Sequence, residues 1–117
     1  MGLTVLLVDD HDAFRASARE LLERAGYDVV AEAATGGAAL VEAETTQPQI
    51  ILLDVQLPDI NGFDLVDDLC LKTPARVVMI SGREPSAFQA RLARSEAIDF
   101  IYKPELSHER IAAALDR

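Results

Sequence analysis

Leu3-Thr4-Val5-Leu6-Leu7-Val8, followed at once by Asp9-Asp10, decides the architecture of this 117-residue chain. A run this short and this rich in Val and Leu suits a strand buried on both faces of a parallel sheet. Two further runs have the same form: Ile50-Ile51-Leu52-Leu53 stops at Asp54, and Ile98 to Tyr102 stops at Lys103-Pro104. In open parallel sheets, ligands bind just outside the carboxyl ends of the strands. Three carboxylates and one amine are therefore expected in one small pocket.

Between these runs the pattern alternates. Asp12 can cap a helix to Ala25, with Phe14, Ala18, Leu21 and Ala25 on one face and Gly26 as its stop. Asp28 to Ala34 reads as a second strand. Thr35 caps a helix through about Thr45, broken off by Pro48 before the third strand. Asn61 caps a helix to about Leu71, with Ile60 and Leu65 as a hydrophobic staple. Arg76 to Ser81 is a fourth strand, and Pro85 opens a helix carrying Phe88 and Leu92. Ser107 caps a final helix of about three turns, with Leu106 and Ile111 as a second staple. Five βα units in succession predict a doubly wound α/β fold with right-handed crossovers and helices on both faces. No repeat or linker interrupts residues 1–117, which read as one domain.

Composition narrows the function. The chain is 50% apolar and carries 20 acidic against 11 basic residues, a formal net charge of −9. Such a surface repels phosphate backbones, so direct nucleic-acid contact by this segment is not expected. The one cysteine, Cys70, has no partner for an internal disulfide and lies on an apolar stripe as packing. The first apolar run is too short for a signal peptide or a membrane span, so a cytoplasmic location is expected.

Periodicity leaves strand order open. In the order 2-1-3-4-5 the first and third strands are neighbours, and Asp9, Asp10 and Asp54 converge at the topological switch point. Carboxylates packed together resist ionisation unless a cation joins them. A hard divalent ion with oxygen ligands is the natural remedy, and Mg²⁺ retaining several waters suits an open site. A carboxylate left partly free is a nucleophile toward phosphorus. Lys103 can neutralise an incoming phosphoryl group, and the Ser81 hydroxyl can hydrogen-bond it.

Four segments together resemble the receiver domain of two-component response regulators, over nearly the whole chain. They are Val5-Leu6-Leu7-Val8-Asp9-Asp10, then Leu53-Asp54-Val55-Gln56-Leu57-Pro58-Asp59-Ile60-Asn61-Gly62, then Ser81-Gly82, then Lys103-Pro104. Each is weak alone; four in order at strand ends are specific. The segment Asp9-Asp10-His11-Asp12-Ala13-Phe14-Arg15 is most similar to the NarL/LuxR type, whose members usually carry a C-terminal helix-turn-helix domain.

The resemblance implies a flavodoxin-like, five-stranded parallel sheet of order 2-1-3-4-5. It implies that Asp54 accepts a phosphoryl group from a histidine kinase or phosphotransfer protein. Mg²⁺ would be held by Asp10, Asp54 and the Gln56 backbone carbonyl, with Asp9 binding directly or through water. Ser81 would swing toward the phosphoryl group, Gly82 would leave room for it, and Phe100 would be the aromatic switch residue. Tyr102 is out of register for that role. The Lys103–Pro104 bond is expected cis, and Gln56 and Arg83 fall where the family tunes the lifetime of the phosphorylated state. The family's receivers are switches rather than enzymes in the ordinary sense, some pairing as homodimers when phosphorylated. A DNA-binding domain beyond Arg117 is one expected output; a stand-alone or hybrid-kinase receiver is the alternative.

Plainer readings stand beside these. Asp54 could be a turn residue, Asp9 and Asp10 solvated loop acids, Lys103 a surface lysine, and Phe100 simple core. His11 and His108 read as surface residues, with the His11 ring starting a helix and pointing away. Arg91 and Arg94 read as a solvated face or, equally, as part of a dimer or partner surface. A haloacid dehalogenase-type phosphatase would need an acid where Gln56 stands, and a nucleotide-binding module would need glycines that Asp9-Asp10-His11-Asp12 lacks.

Overall fold

The computed structural model describes residues 2–116. Strands β1 (Thr4–Val8), β2 (Asp28–Ala33), β3 (Ile50–Asp54), β4 (Arg76–Ser81) and β5 (Asp99–Tyr102) form one parallel sheet in the order β2-β1-β3-β4-β5. Helices α1 (Asp12–Arg24), α2 (Gly36–Thr46), α3 (Gly62–Lys72), α4 (Gln89–Ala93) and α5 (His108–Leu115) connect and flank it. The expected flavodoxin-like doubly wound fold is the fold observed.

Side-chain alternation splits the core in two. Leu6, Val8, Ile51, Leu53, Val77, Met79 and Phe100 face α2 and α3. Val5, Leu7, Ile50, Leu52, Val78, Ile80 and Ile101 face Ala18 and Leu22 of α1 and Ile111 and Ala114 of α5. Every residue of β3 is buried, as the unbroken apolar run requires of a central strand.

The helix starts follow local chemistry. Thr35, Asn61 and Ser107 each accept a backbone N–H from the first turn of α2, α3 and α5. Ile60 and Leu65 pack into one cluster, Leu106 and Ile111 into the other, as the two staples predict. Gly26 ends the α1 connection at φ 93°, a conformation that suits glycine.

Three expectations are corrected. Asp12 does not cap α1: His11 holds the N-cap position without a side-chain cap, and Asp12 is the first helical residue, ion-paired to Arg15 one turn on. The helix expected from Pro85 is broken into a 3₁₀ turn, Pro85–Ala87, and the short α4. Phe88 sits at the break with φ −128° and ψ 8°, because its ring wedges between Phe63 and Phe100 at centroid distances of 5.9 and 5.5 Å. Thirdly, the Lys103–Pro104 peptide is trans, as are all others among the described residues. Lys103–Glu105 forms a 3₁₀ turn closed by the Leu106 N–H on the Lys103 carbonyl, and the fixed φ of proline suits that turn.

Candidate functional site

β1 and β3 are paired through Val8 and Leu53, so Asp9 and Asp54 leave adjoining strand ends at the switch point of the sheet. β4 extends one residue past Ile80, the partner of Asp54, which places Ser81 at the same rim. β5 ends opposite Ser81 at Tyr102, and the next residue is Lys103. The strand order thus brings the expected residues to one edge.

Lys103 is the link. Its ammonium lies 2.5 Å from Asp9 Oδ2 and 3.6 Å from Asp54 Oδ2, and 4.4 Å from the centre of the Phe14 ring. The trans peptide therefore still delivers the amine to the acids. Asp9 is buried, and its Oδ2 accepts no hydrogen bond from the described residues, the Lys103 ammonium being its ionic contact. Asp10 is more exposed, at the mouth of the pocket.

Asp54 is buried and resists ionisation. Loss of solvent contributes most and the neighbouring Asp9 charge next, and together they push its pKa up to about 6 against the pull of Lys103 and the Gln56 N–H. A folded-state value above the ordinary 3.8 means the ionised carboxylate costs stability. That cost is absent at pH below the ordinary value, grows between the two, and is full above about 6. Asp54→Asn is accordingly expected to stabilise the metal-free protein by about 1–3 kcal/mol at neutral pH, the shift being worth ~1.4 kcal/mol per unit. Urea unfolding in chelator checks it: the gain should shrink by roughly half at pH 5, and a pH-independent gain would contradict this origin.

Ser81 is buried, and its Oγ accepts the Arg83 N–H at 3.0 Å, leaving the hydroxyl hydrogen free to donate. Phe100 is buried in the core against Phe88, on the α2 and α3 side of the sheet. The Gln56 N–H reaches Asp54 Oδ1 at 3.4 Å, so the loop after β3 folds back over the acid.

Several contributors were not anticipated. The His11 ring does not point away: Nδ1 lies 3.0 Å from Asp9 Oδ1 and 3.2 Å from Asp10 Oδ1. Arg15 donates to the Asp9 carbonyl at 2.5 Å and pairs with Glu32 of β2 at 3.0 Å, tying α1 to the acidic turn. Asp59 accepts the Gly36 and Gly37 N–H groups at 2.8 and 3.0 Å, which holds its carboxyl below the usual range. Spacing signals none of these, since each contact joins elements distant in sequence or depends on a rotamer.

Asp9, Asp10, His11 and Asp54 each offer one ligand atom within 4.8 Å of the others. Clustered carboxylate oxygens, one of them a buried atom without a hydrogen bond, fit a divalent cation. The donor set and the mutual repulsion of Asp9 and Asp54 agree on this.

Residues 5–116 match the response regulator receiver domain family. The chain belongs to that family. The receiver is 36% identical over 111 residues to the Bordetella pertussis transcription regulator BvgA, covering 94% of this chain and 53% of that protein. It thus spans about half the length of that curated relative. The signal receiver domain of Mycobacterium tuberculosis NarL superposes with a TM-score of 0.85 at 31% identity, covering 98% of this receiver and 94% of that chain. A Burkholderia pseudomallei response regulator, solved with a phosphorylated aspartic acid and a calcium ion, gives 0.86 at 30% identity, over 97% and 66%. These likenesses include the NarL/LuxR type expected from Asp9 to Arg15. No helix among the described residues is long and apolar enough to cross a membrane.

Proposed function

We propose that this receiver takes a phosphoryl group onto Asp54 from the phosphohistidine of a kinase or phosphotransfer protein and changes its surface in response. The observation that carries the reading is the Lys103 ammonium set between Asp9 and Asp54 at the rim of the sheet. An Asp54 oxygen attacks phosphorus, the P–N bond to the donor imidazole breaks, and the P–O bond of an acyl phosphate forms. Lys103 moves from the carboxylates toward the new phosphoryl oxygens, and Ser81 donates its free hydroxyl to them.

Asp9, Asp10, Asp54 and the Gln56 carbonyl would hold Mg²⁺. When bound, that ion offsets the carboxylate charge and the charge developing on the phosphoryl oxygens. The related Burkholderia structure, with its phosphorylated aspartic acid and calcium ion, supports both roles. Phe100 against Phe88 is the proposed path from the pocket to the α4 surface, biasing an equilibrium that already exists. We place residues 1–117 as one such unit, in the cytoplasm, governing transcription through a DNA-binding domain, as relatives such as the Escherichia coli DNA-binding transcriptional activator EvgA suggest. Pairing of phosphorylated copies belongs to the same reading.

Incubation with radiolabelled acetyl phosphate tests the proposal. Label should enter with Mg²⁺, be released by hydroxylamine, and map to Asp54 after borohydride reduction of the acyl phosphate. Chelation should cut labelling by about a hundredfold or more, as several kcal/mol of charge stabilisation is withdrawn. Undiminished labelling in chelator, or label on another residue, would overturn the assignment.

A further inference from the structure

We propose that Arg15 is a positioning residue for the acidic pocket: its guanidinium clasps the backbone carbonyl of Asp9 and so sets the direction in which Asp10 meets the ion. The inference rests on the reading of that pocket as a Mg²⁺ site and concerns what holds the metal-binding acids in place.

The turn that carries the two acids lies between elements. Asp9 stands one residue past the last β1–β3 pair, Val8 with Leu53, and α1 begins at Asp12. The Asp9 N–H donates to the Ala33 carbonyl at 3.0 Å, and the Asp9 carbonyl accepts from Arg15 Nη1 at 2.5 Å. That carbonyl belongs to the planar peptide joining Asp9 to Asp10, so its direction governs where the Asp10 side chain departs.

Arg15 is itself fixed from three sides. Besides the bond from Nη1, its Nε lies 3.0 Å from Glu32 Oε1 and its Nη2 2.5 Å from Asp12 Oδ1. A planar guanidinium held at all three nitrogens cannot turn without breaking a charge-assisted bond. The side chain is only 16% exposed, so water competes weakly for these contacts. Glu32 is steadied in turn by Arg19 Nη1, 2.7 Å from its second oxygen. Consecutive residues of β2 thus grip Asp9 from both sides, Ala33 directly and Glu32 through Arg15.

Charge and placement predict opposite outcomes. A cation beside Asp9 repels Mg²⁺, so an Arg15 acting through its charge alone would hinder the metal, and its removal would tighten binding. An Arg15 that aims the ligands would weaken binding when removed, as happens for other groups that orient metal ligands from outside. Its charge faces Asp12 and Glu32, and what it gives the turn is a hydrogen bond to a neutral carbonyl. Placement is therefore the dominant effect.

The test titrates Mg²⁺ into the parent and into Arg15→Ala, Arg19→Ala and Asp10→Asn, followed by backbone amide NMR shifts at a temperature where urea unfolding shows all four folded. Arg19→Ala is the control, since Arg19 pairs with Glu32 and Glu23 and donates to the Val29 carbonyl, away from the acidic turn. Arg15→Ala should weaken Mg²⁺ binding about tenfold, and Arg19→Ala should change it less than about twofold. Labelling of Arg15→Ala by acetyl phosphate should fall by about the same factor at subsaturating Mg²⁺ and return to within about threefold of the parent at saturating Mg²⁺. General loosening of the fold would not produce that split. Unchanged or tighter binding in Arg15→Ala, an equal loss in Arg19→Ala, or a labelling deficit that saturating Mg²⁺ does not repair would overturn the role of Arg15. If the parent binds no Mg²⁺, or Asp10→Asn leaves its affinity unchanged, the metal reading itself fails and the role of Arg15 falls with it.

Discussion

Asp54→Asn is expected to remove all hydroxylamine-sensitive phosphoryl label while leaving the fold intact. The amide matches the carboxylate in shape, so the packing of the β3 terminus is kept. It lacks the anionic oxygen that attacks phosphorus in the proposed reaction, and Asp9 cannot stand in for it. Asp9 is buried with its Oδ2 on Lys103 and its Oδ1 on the His11 N–H. Asp10 sits at the pocket mouth, on a different strand end from Asp54. The loss should reach the detection limit, about three orders of magnitude or more, as for removal of a covalent nucleophile. Far-UV circular dichroism and urea unfolding should show a protein at least as stable as the parent at neutral pH. A variant that still carries stable, hydroxylamine-labile label would remove Asp54 from its role.

Gly62→Ala is expected to strike both stability and chemistry. A Cβ at residue 62 would sit 2.3 Å from the Asp54 carbonyl oxygen and 3.0 Å from the Val55 Cα. Both are backbone atoms, so no side chain can swing aside. The Gly62 N–H is already hydrogen-bonded to the Val55 carbonyl at 2.5 Å, which holds the start of α3 against the end of β3. Relief must come from moving one against the other, at a cost of about 2–3 kcal/mol by analogy with overpacked cores. That movement displaces the peptide carrying the proposed phosphoacceptor, and small misplacements of reacting groups are expensive. Labelling by acetyl phosphate should fall at least about tenfold at temperatures where the variant remains folded. A parental urea midpoint together with a parental labelling rate would show that the approach is not tight.

Much of this is legible in the sequence, for physical reasons that differ by element. Strands β1, β3 and β4 declare themselves because a strand buried on both faces must be apolar along its length. The starts of α2, α3 and α5 are legible because Thr35, Asn61 and Ser107 act within one turn of their own position. The pocket follows from topology once Asp9, Asp54 and Lys103 are known to terminate strands. What stayed hidden depends on tertiary packing or on rotamers. The break at Phe88 is imposed by the rings of Phe63 and Phe100, which no local preference reveals. The trans Lys103–Pro104 peptide follows from a turn whose closure involves Leu106. His11 was misread because a residue at a helix start has two outward directions, and its partners are the two residues immediately before it.

The division of the core has its own consequence. Phe100 and Ile101 are consecutive, yet one packs toward Phe88 and the other toward α5. The sheet therefore works as a bulkhead. A shift of Phe100 would act directly on Phe88, which packs on Phe63 of α3, whereas α1 and α5 are shielded behind a layer of fully buried strand residues. In the proposed switch, one side of the molecule is rewritten by the signal while the other keeps a constant face. A single small domain can in this way be recognised and be changed at once, by surfaces that do not compete.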